Sequence, residues 1–143
     1  MPQVRAIVGA GIPFMAHIGM LPQHILEEGT YRIKGKDDAG RLKLLADARA
    51  LAEAGAFAVV LELVAPTVAA AITGASPMVT IGIGSGSDCD GQILVTTDLF
   101  GTSPDYIPKH VKLRPEIGLK MRAAVEEWIR ALPSPQSGGA QKS

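Results

Sequence analysis

Residues 57–64, FAVVLELV, form an apolar run that carries one carboxylate, Glu62, and lies between Gly55 and Pro66. β-Branched and aromatic residues in succession, without alternation, predict a strand buried on both faces, as in a parallel sheet. Three further strands follow from the same pattern. Residues 12–18 (IPFMAHI) start at Pro13, which a strand tolerates at its beginning, and carry His17 near the C-terminal end. Residues 78–83 run into Gly84, Ser85 and Gly86, and residues 92–97 (QILVTT) end at Asp98.

Between the strands the period changes. In residues 38–54, Leu44, Leu45, Ala48, Leu51 and Ala52 share one face at helical spacing, with Asp37 or Asp38 as N-cap and Gly55 beyond the end. Pro66 opens a shorter helix with Val68, Ala71 and Ile72 inward and Gly74 as its stop. A last helix spans about 115–132, with an apolar stripe of Ile117, Met121, Ala124, Val125, Trp128 and Leu132 read as a packing face. Residues 4–8 read as the end of a helix, stopped by Gly9 and Gly11. Residues 20–36 lack a period and read as a long loop with one turn of helix, and loops of that length are often functional. Strands alternating with helices predict an α/β fold of about four parallel strands with right-handed crossovers. Four such strands make either a complete doubly wound sheet or half of an eight-stranded barrel.

Composition narrows the function classes. The 143 residues suffice for one domain with a real core, expected over 1–132, and the PSPQSGGAQKS stretch at 133–143 reads as a disordered tail. Lys and Arg together number 14, as do Asp and Glu, so no basic excess argues for nucleic acid as the main partner. Lys109, His110, Lys112 and Arg114 read as a local patch or a solvated loop. Cys89 is the only cysteine, which rules out an internal disulfide and favours a reducing compartment. Its neighbours Asp88 and Asp90 disfavour a thiolate. The apolar stretch at 6–20 contains Pro13 and His17, is too short and broken to cross a bilayer, and no secretory signal is evident. The expectation is a cytoplasmic protein that is not membrane-bound.

In parallel α/β folds the chemistry gathers at the C-terminal ends of the strands. Those ends here are His17, Glu62, Gly84 with Ser85, and Asp98. A carboxylate in an apolar strand is costly unless it is solvated, paired with a base, or shifted in pKa for acid–base work. All three readings of Glu62 stay open. His17 is either satisfied by backbone or free to donate to a carboxylate or carbonyl oxygen. The GIGSG run at 82–86 is either a turn that needs glycine or a place where backbone N–H groups approach an anion. Asp88 and Asp90, without His or Cys support, read as solvated rather than as metal ligands.

Six segments in order, IPFMAHIG with PQ at 12–23, the stretch 31–35, VLELV at 60–64, TIGIGSG at 80–86, CDGQILV at 89–95 and IPK at 107–109, resemble the C-terminal half of ketopantoate hydroxymethyltransferase. The resemblance covers roughly residues 4–132. It implies the second half of a (β/α)8 TIM-type barrel, with the first half supplying the metal-binding carboxylates and a substrate-binding lysine. It implies hydroxymethyl transfer from 5,10-methylenetetrahydrofolate to 3-methyl-2-oxobutanoate, giving 2-dehydropantoate in pantothenate biosynthesis, with Mg²⁺ as the metal. By resemblance Glu62 is the catalytic proton acceptor and His17 helps hold the substrate; Gly84 and Ser85, at the end of the third strand, are candidate loop contacts on the strand-end reading alone. The sequence departs from the family pattern at Ala16 (for glycine), Leu21 (for threonine), Lys34 (for glutamine), Ser85 (for alanine) and His110 (for an apolar or aromatic residue).

Half a barrel exposes two edge strands and an inner face. The expected edges are the strands at 12–18 and 92–97. Self-association or a complementing N-terminal half is therefore expected, with a small-molecule 2-oxoacid as substrate. The alternatives are a non-catalytic half-barrel serving assembly or binding, and a different metal-dependent 2-oxoacid lyase or aldol-type enzyme on a related barrel.

Overall fold

Pro2 stands in the first turn of α1 (Pro2–Gly9), where its missing amide is no loss. The computed structural model describes residues 1–103, 108–111 and 116–132. β1 (Met15–Gly19) follows, beginning three residues later than the apolar pattern suggests. A 3₁₀ turn (Pro22–His24) and the short α2 (Ile25–Glu28) occupy the start of the expected loop. α3 (Asp38–Glu53) begins where Asp37 accepts a hydrogen bond from Gly40 N at 2.6 Å, and buries Leu44, Ala48 and Leu51.

β2 (Ala58–Glu62), α4 (Pro66–Ala75) and β3 (Val79–Ile83) complete two strand–helix–strand units. On α4 the buried residues are Val68, Ala69 and Ile72, while Ala71, expected inward, is exposed. The helix continues one residue past Gly74, so that glycine does not stop it. β4 is only Gly91–Gln92, and the expected strand over 92–97 is corrected: Thr96–Phe100 is a helix, α5. Pairing with β3 stops at Gln92, beyond which only Ile93 N reaches Gly82 O, at 3.0 Å. From Val95 onward the backbone carbonyls accept from amides three and four residues ahead.

The sheet order is β1-β2-β3-β4, all parallel, with β1 and β4 at the edges. Register sets its two faces. Ala16, Ile18, Val59, Leu61 and Thr80 share one face and are buried, all but Thr80 within one apolar cluster with Leu44, Ala48 and Leu51 of α3 and Val68, Ala69 and Ile72 of α4. Met15, His17, Val60, Val79 and Ile81 share the other face, where Met15 is 45% and Val79 51% exposed and only Ala58 and Ile83 are buried. The expectation of burial on both faces of β2 is met in full on one side and in part on the other, where Ala58 is buried and Val60 half-buried. A four-stranded parallel sheet with helices on one side is half of a (β/α)8 barrel of TIM type.

The chain divides into two compact units, Met1–Leu94 and Val95–Ser143. The second holds α5 and α6 (Ile117–Ala131). None of the residues of α6 is buried, so the stripe read as a packing face is open along Met121, Val125 and Trp128. Ile107, Lys112, Arg114, Pro115 and the 133–143 tail lie outside the described residues. Among the described residues no helix is long and apolar enough to cross a membrane.

Candidate active site

Glu62 is the last residue of β2, and His17 stands on the neighbouring β1, one register step back beside Val60. On the same face of a parallel pair, such positions bring long side chains together. His17 Nε2 lies 3.2 Å from Glu62 Oε2, with the carboxylate mostly covered and the imidazole about one-third open. Of the readings left open for Glu62, the geometry gives a carboxylate paired with a base at the mouth of the sheet. His17 finds its partner in a side chain rather than in backbone.

The backbone around this pair is held from several sides. Met20 N donates to Glu62 O at 2.8 Å, and a Cβ on Gly19 (φ +102°) would stand 2.2 Å from that same oxygen, so only glycine fits. Leu63, directly after the carboxylate, has φ +48°, a conformation that costs a branched side chain about 1–3 kcal/mol. Two neighbouring segments hold it there, the end of β3 and the isolated bridge residue Lys34. Leu63 N donates to Ile83 O at 2.9 Å, Lys34 N donates to Leu63 O at 2.7 Å, and Ala65 N donates to Lys34 O at 2.9 Å. Ser85, fully buried, accepts from Val64 N at 2.9 Å and donates to Leu61 O at 2.7 Å. Its hydroxyl is therefore turned inward, bracing the turn that carries Glu62. Gly84 and Gly86, at φ +65° and +91°, form the turn that lets Ser85 reach back.

The other candidates make contacts of their own. Asp90 Oδ2 accepts from Thr80 N at 2.8 Å and from Thr80 Oγ1 at 2.9 Å, and Thr80 Oγ1 lies 2.8 Å from Thr73 Oγ1. These bonds hold the Asp90 carboxyl below the usual carboxylate range, the Thr80 backbone amide contributing most. Asp90 is thus a clasp between β3 and β4 rather than a merely solvated acid. Burial pushes the Cys89 thiol up, with smaller additions from Asp90 and Asp88, opposed by the Thr73 and Thr80 hydroxyls. A disfavoured thiolate was expected, although burial outweighs the two acids as its cause. Asp98, expected at a strand end, lies in the first turn of α5 and accepts from Ser103 Oγ at 3.0 Å. Among the described residues no group of three or more His, Cys, Asp or Glu converges to hold a metal ion.

Sequence reasoning reached His17 and Glu62 but not their supports. A serine in a glycine-rich run after a strand was the available signal for the brace. Nothing in the sequence marked Leu63 as left-handed or Lys34 as a backbone bridge to Val64.

The profile of a family described as ketopantoate hydroxymethyltransferase matches residues 1–136. A 3-methyl-2-oxobutanoate hydroxymethyltransferase of Carboxydothermus hydrogenoformans is 46% identical over 133 residues, 93% of this chain and 48% of that protein. The Moorella thermoacetica protein of the same name is 49% identical over 127 residues, 89% of this chain and 47% of its own length. That of Mesorhizobium japonicum is 46% identical over 138 residues, again 93% and 48%. The chain spans about half the length of the curated relatives it matches.

Proposed function

The chain belongs to the ketopantoate hydroxymethyltransferase family, and on that premise we propose that it supplies the base-bearing strands for hydroxymethyl transfer from 5,10-methylenetetrahydrofolate to 3-methyl-2-oxobutanoate. The observation that carries this reading is the His17–Glu62 pair, 3.2 Å apart at adjacent strand ends. Glu62 takes the proton from the carbon next to the ketone, leaving an enolate. His17 orients that carboxylate through Nε2 and helps hold the substrate. The enolate carbon bonds to the one-carbon unit and, with uptake of water, the products are 2-dehydropantoate and tetrahydrofolate. The Leu63 turn and the Ser85 brace keep the carboxylate aimed, because a base misplaced by an ångström loses most of its effect.

The family implies Mg²⁺, which if bound would act as a Lewis acid on the ketone and make the neighbouring proton more acidic. The described residues do not fit such a site, and no step above runs through it. We place its ligands on the N-terminal barrel half that completes this sheet, whether that half is part of a longer chain or a complementing chain. The open sheet face and the β1 edge support such completion. They also favour a second reading, a non-catalytic half-barrel that binds or assembles through that face. The cytoplasm remains the proposed location.

The test is deuterium uptake by 3-methyl-2-oxobutanoate in D₂O, with Mg²⁺ and a complementing N-terminal half. Glu62→Gln keeps the shape, removes the base and is expected to slow exchange by about 10²–10⁴-fold. Near-normal exchange in Glu62→Gln removes that residue from the mechanism. No exchange by the complemented wild type selects the non-catalytic reading.

A further inference from the structure

Gly35 stands between the apolar core and the turn that follows Glu62. On one side its neighbour Lys34 is bonded to that turn. Lys34 N donates to Leu63 O at 2.7 Å, and Lys34 O accepts from Ala65 N at 2.9 Å. On the other side Gly35 lies against α3 and α4. A Cβ on Gly35 would stand 2.8 Å from Leu44 Cδ1 and 3.4 Å from Val68 Cγ2. Leu44 and Val68 are both buried in the apolar cluster, where close packing leaves little room to yield. Gly35 also has φ +77°, which glycine adopts freely and a residue with a Cβ does not. Gly40, in the first turn of α3, completes the close approach, since a Cβ there would stand 3.3 Å from Gly35 Cα. Asp37 caps α3 through that same Gly40 N, so the far end of the segment is tied to the helix as well.

The route from the core to the carboxylate thus runs through backbone. α3 and α4 fix where Gly35 sits, Gly35 fixes Lys34, and Lys34 holds Leu63 in the left-handed conformation that follows Glu62. A side chain at position 35 would lift the segment off Leu44 and Val68 and carry the Lys34 bonds with it. We propose that Gly35 is a positioning residue for Glu62, acting through Lys34 and the Leu63 turn to keep the carboxylate beside His17. Its catalytic consequence rests on the function proposed above.

Gly35→Ala, set against Gly29→Ala, tests the assignment. Gly29 lies in the same loop at φ +74°, with nothing within 4 Å of an added Cβ, so the two changes carry similar backbone strain and differ in the contact. The readout is the set of His17 ring signals in ¹H–¹⁵N spectra of the full chain, with Glu62→Gln marking an imidazole that has lost its carboxylate. Gly35→Ala is expected to move those signals toward the Glu62→Gln positions, and Gly29→Ala to leave them at the wild-type positions. Gly40→Ala presses on Gly35 from α3 without left-handed strain, and a smaller shift in the same direction is expected. In the complemented enzyme Gly35→Ala is expected to slow deuterium uptake about tenfold, because a base displaced by a fraction of an ångström loses much of its effect. Wild-type His17 signals in Gly35→Ala, or an equal shift in Gly29→Ala, overturns the assignment. Where Gly35→Ala does not fold, a silent Gly40→Ala overturns it. The His17 signals are read without turnover, so absence of uptake by the complemented wild type defeats the proposed reaction and leaves the positioning of Glu62 to be decided by the spectra.

Discussion

The two faces of the sheet are written in similar residues but have different surroundings. On one face Ala16, Val59 and Leu61 are sealed under α3 and α4. On the other, Met15 and Val79 are about half exposed, and His17 lies among them. Apolar residues on both faces are what a barrel strand needs, because its inner face packs against the strands across the barrel. One face thus carries the stability of this unit, and the other carries the His17–Glu62 pair beside half-exposed apolar residues.

That division predicts the largest effects on the sealed side. Leu61→Ala removes a fully buried side chain from the cluster and is expected to cost about 2–5 kcal/mol in urea unfolding. A cost under about 1 kcal/mol would mean that the sealed face is not the core. Next comes Ser85→Ala, at the mouth of the same face. It strips a partner from Val64 N and Leu61 O, for an expected cost of about 1–3 kcal/mol. Hydrogen exchange at the Val64 amide is expected to speed up more than that at amides within α3. Uniform acceleration would mean that Ser85 supports the fold at large and not the Glu62 turn.

The sequence made one face legible and left the other ambiguous for a physical reason. Burial on the helix side follows from contacts the chain makes with itself, so the apolar positions of α3 were readable from their period. The exposure of Val79 depends on what packs across the sheet, a long-range property that no local pattern can reveal. His17 and Glu62 were legible because polar groups at the ends of apolar strands stand out. Their 3.2 Å approach follows from the register, and register is a long-range property. The residues at 92–97 misled because Ile93, Leu94, Val95 and two threonines carry strand propensity. In the structure β4 stops at Gln92 and a helical turn starts at Thr96.

A smaller effect tests Thr80, the buried polar side chain in the same row as Ala16 and Val59. Thr80 is fully buried, and its N–H and hydroxyl both donate to Asp90 Oδ2, with Thr73 Oγ1 beside the same hydroxyl. The Asp90 carboxyl is depressed in the fold, so its contribution is complete above its unfolded value of about 4 and is lost as pH falls through the lower folded value. Asp90→Ala removes that contribution at every pH. The stability gap between wild type and variant is therefore expected to be full at neutral pH and to close in acid. A gap that stays constant into acid would show that the charge on Asp90 does not matter to the clasp.

The smallest expected effect is at Val79, and it is informative about the two faces when set beside the same change at Val59. Val59→Thr and Val79→Thr make the same chemical change on adjacent strands, at 0% and 51% exposure. At Val59 the new hydroxyl is buried without a ready partner, and a cost of about 1–3 kcal/mol is expected. At Val79 water solvates it, and the change is expected to stay within about 0.5 kcal/mol. Equal costs at the two sites would mean that the open face is covered in solution by the chain itself or by a second copy. Dilution separates those cases, since only a second copy gives a concentration-dependent midpoint. If a complementing half closes the barrel, Val79→Thr is expected to weaken that association while leaving the isolated chain as stable as before. The open face would then be a surface specified for a partner, because the same substitution would be silent alone and costly in the complex.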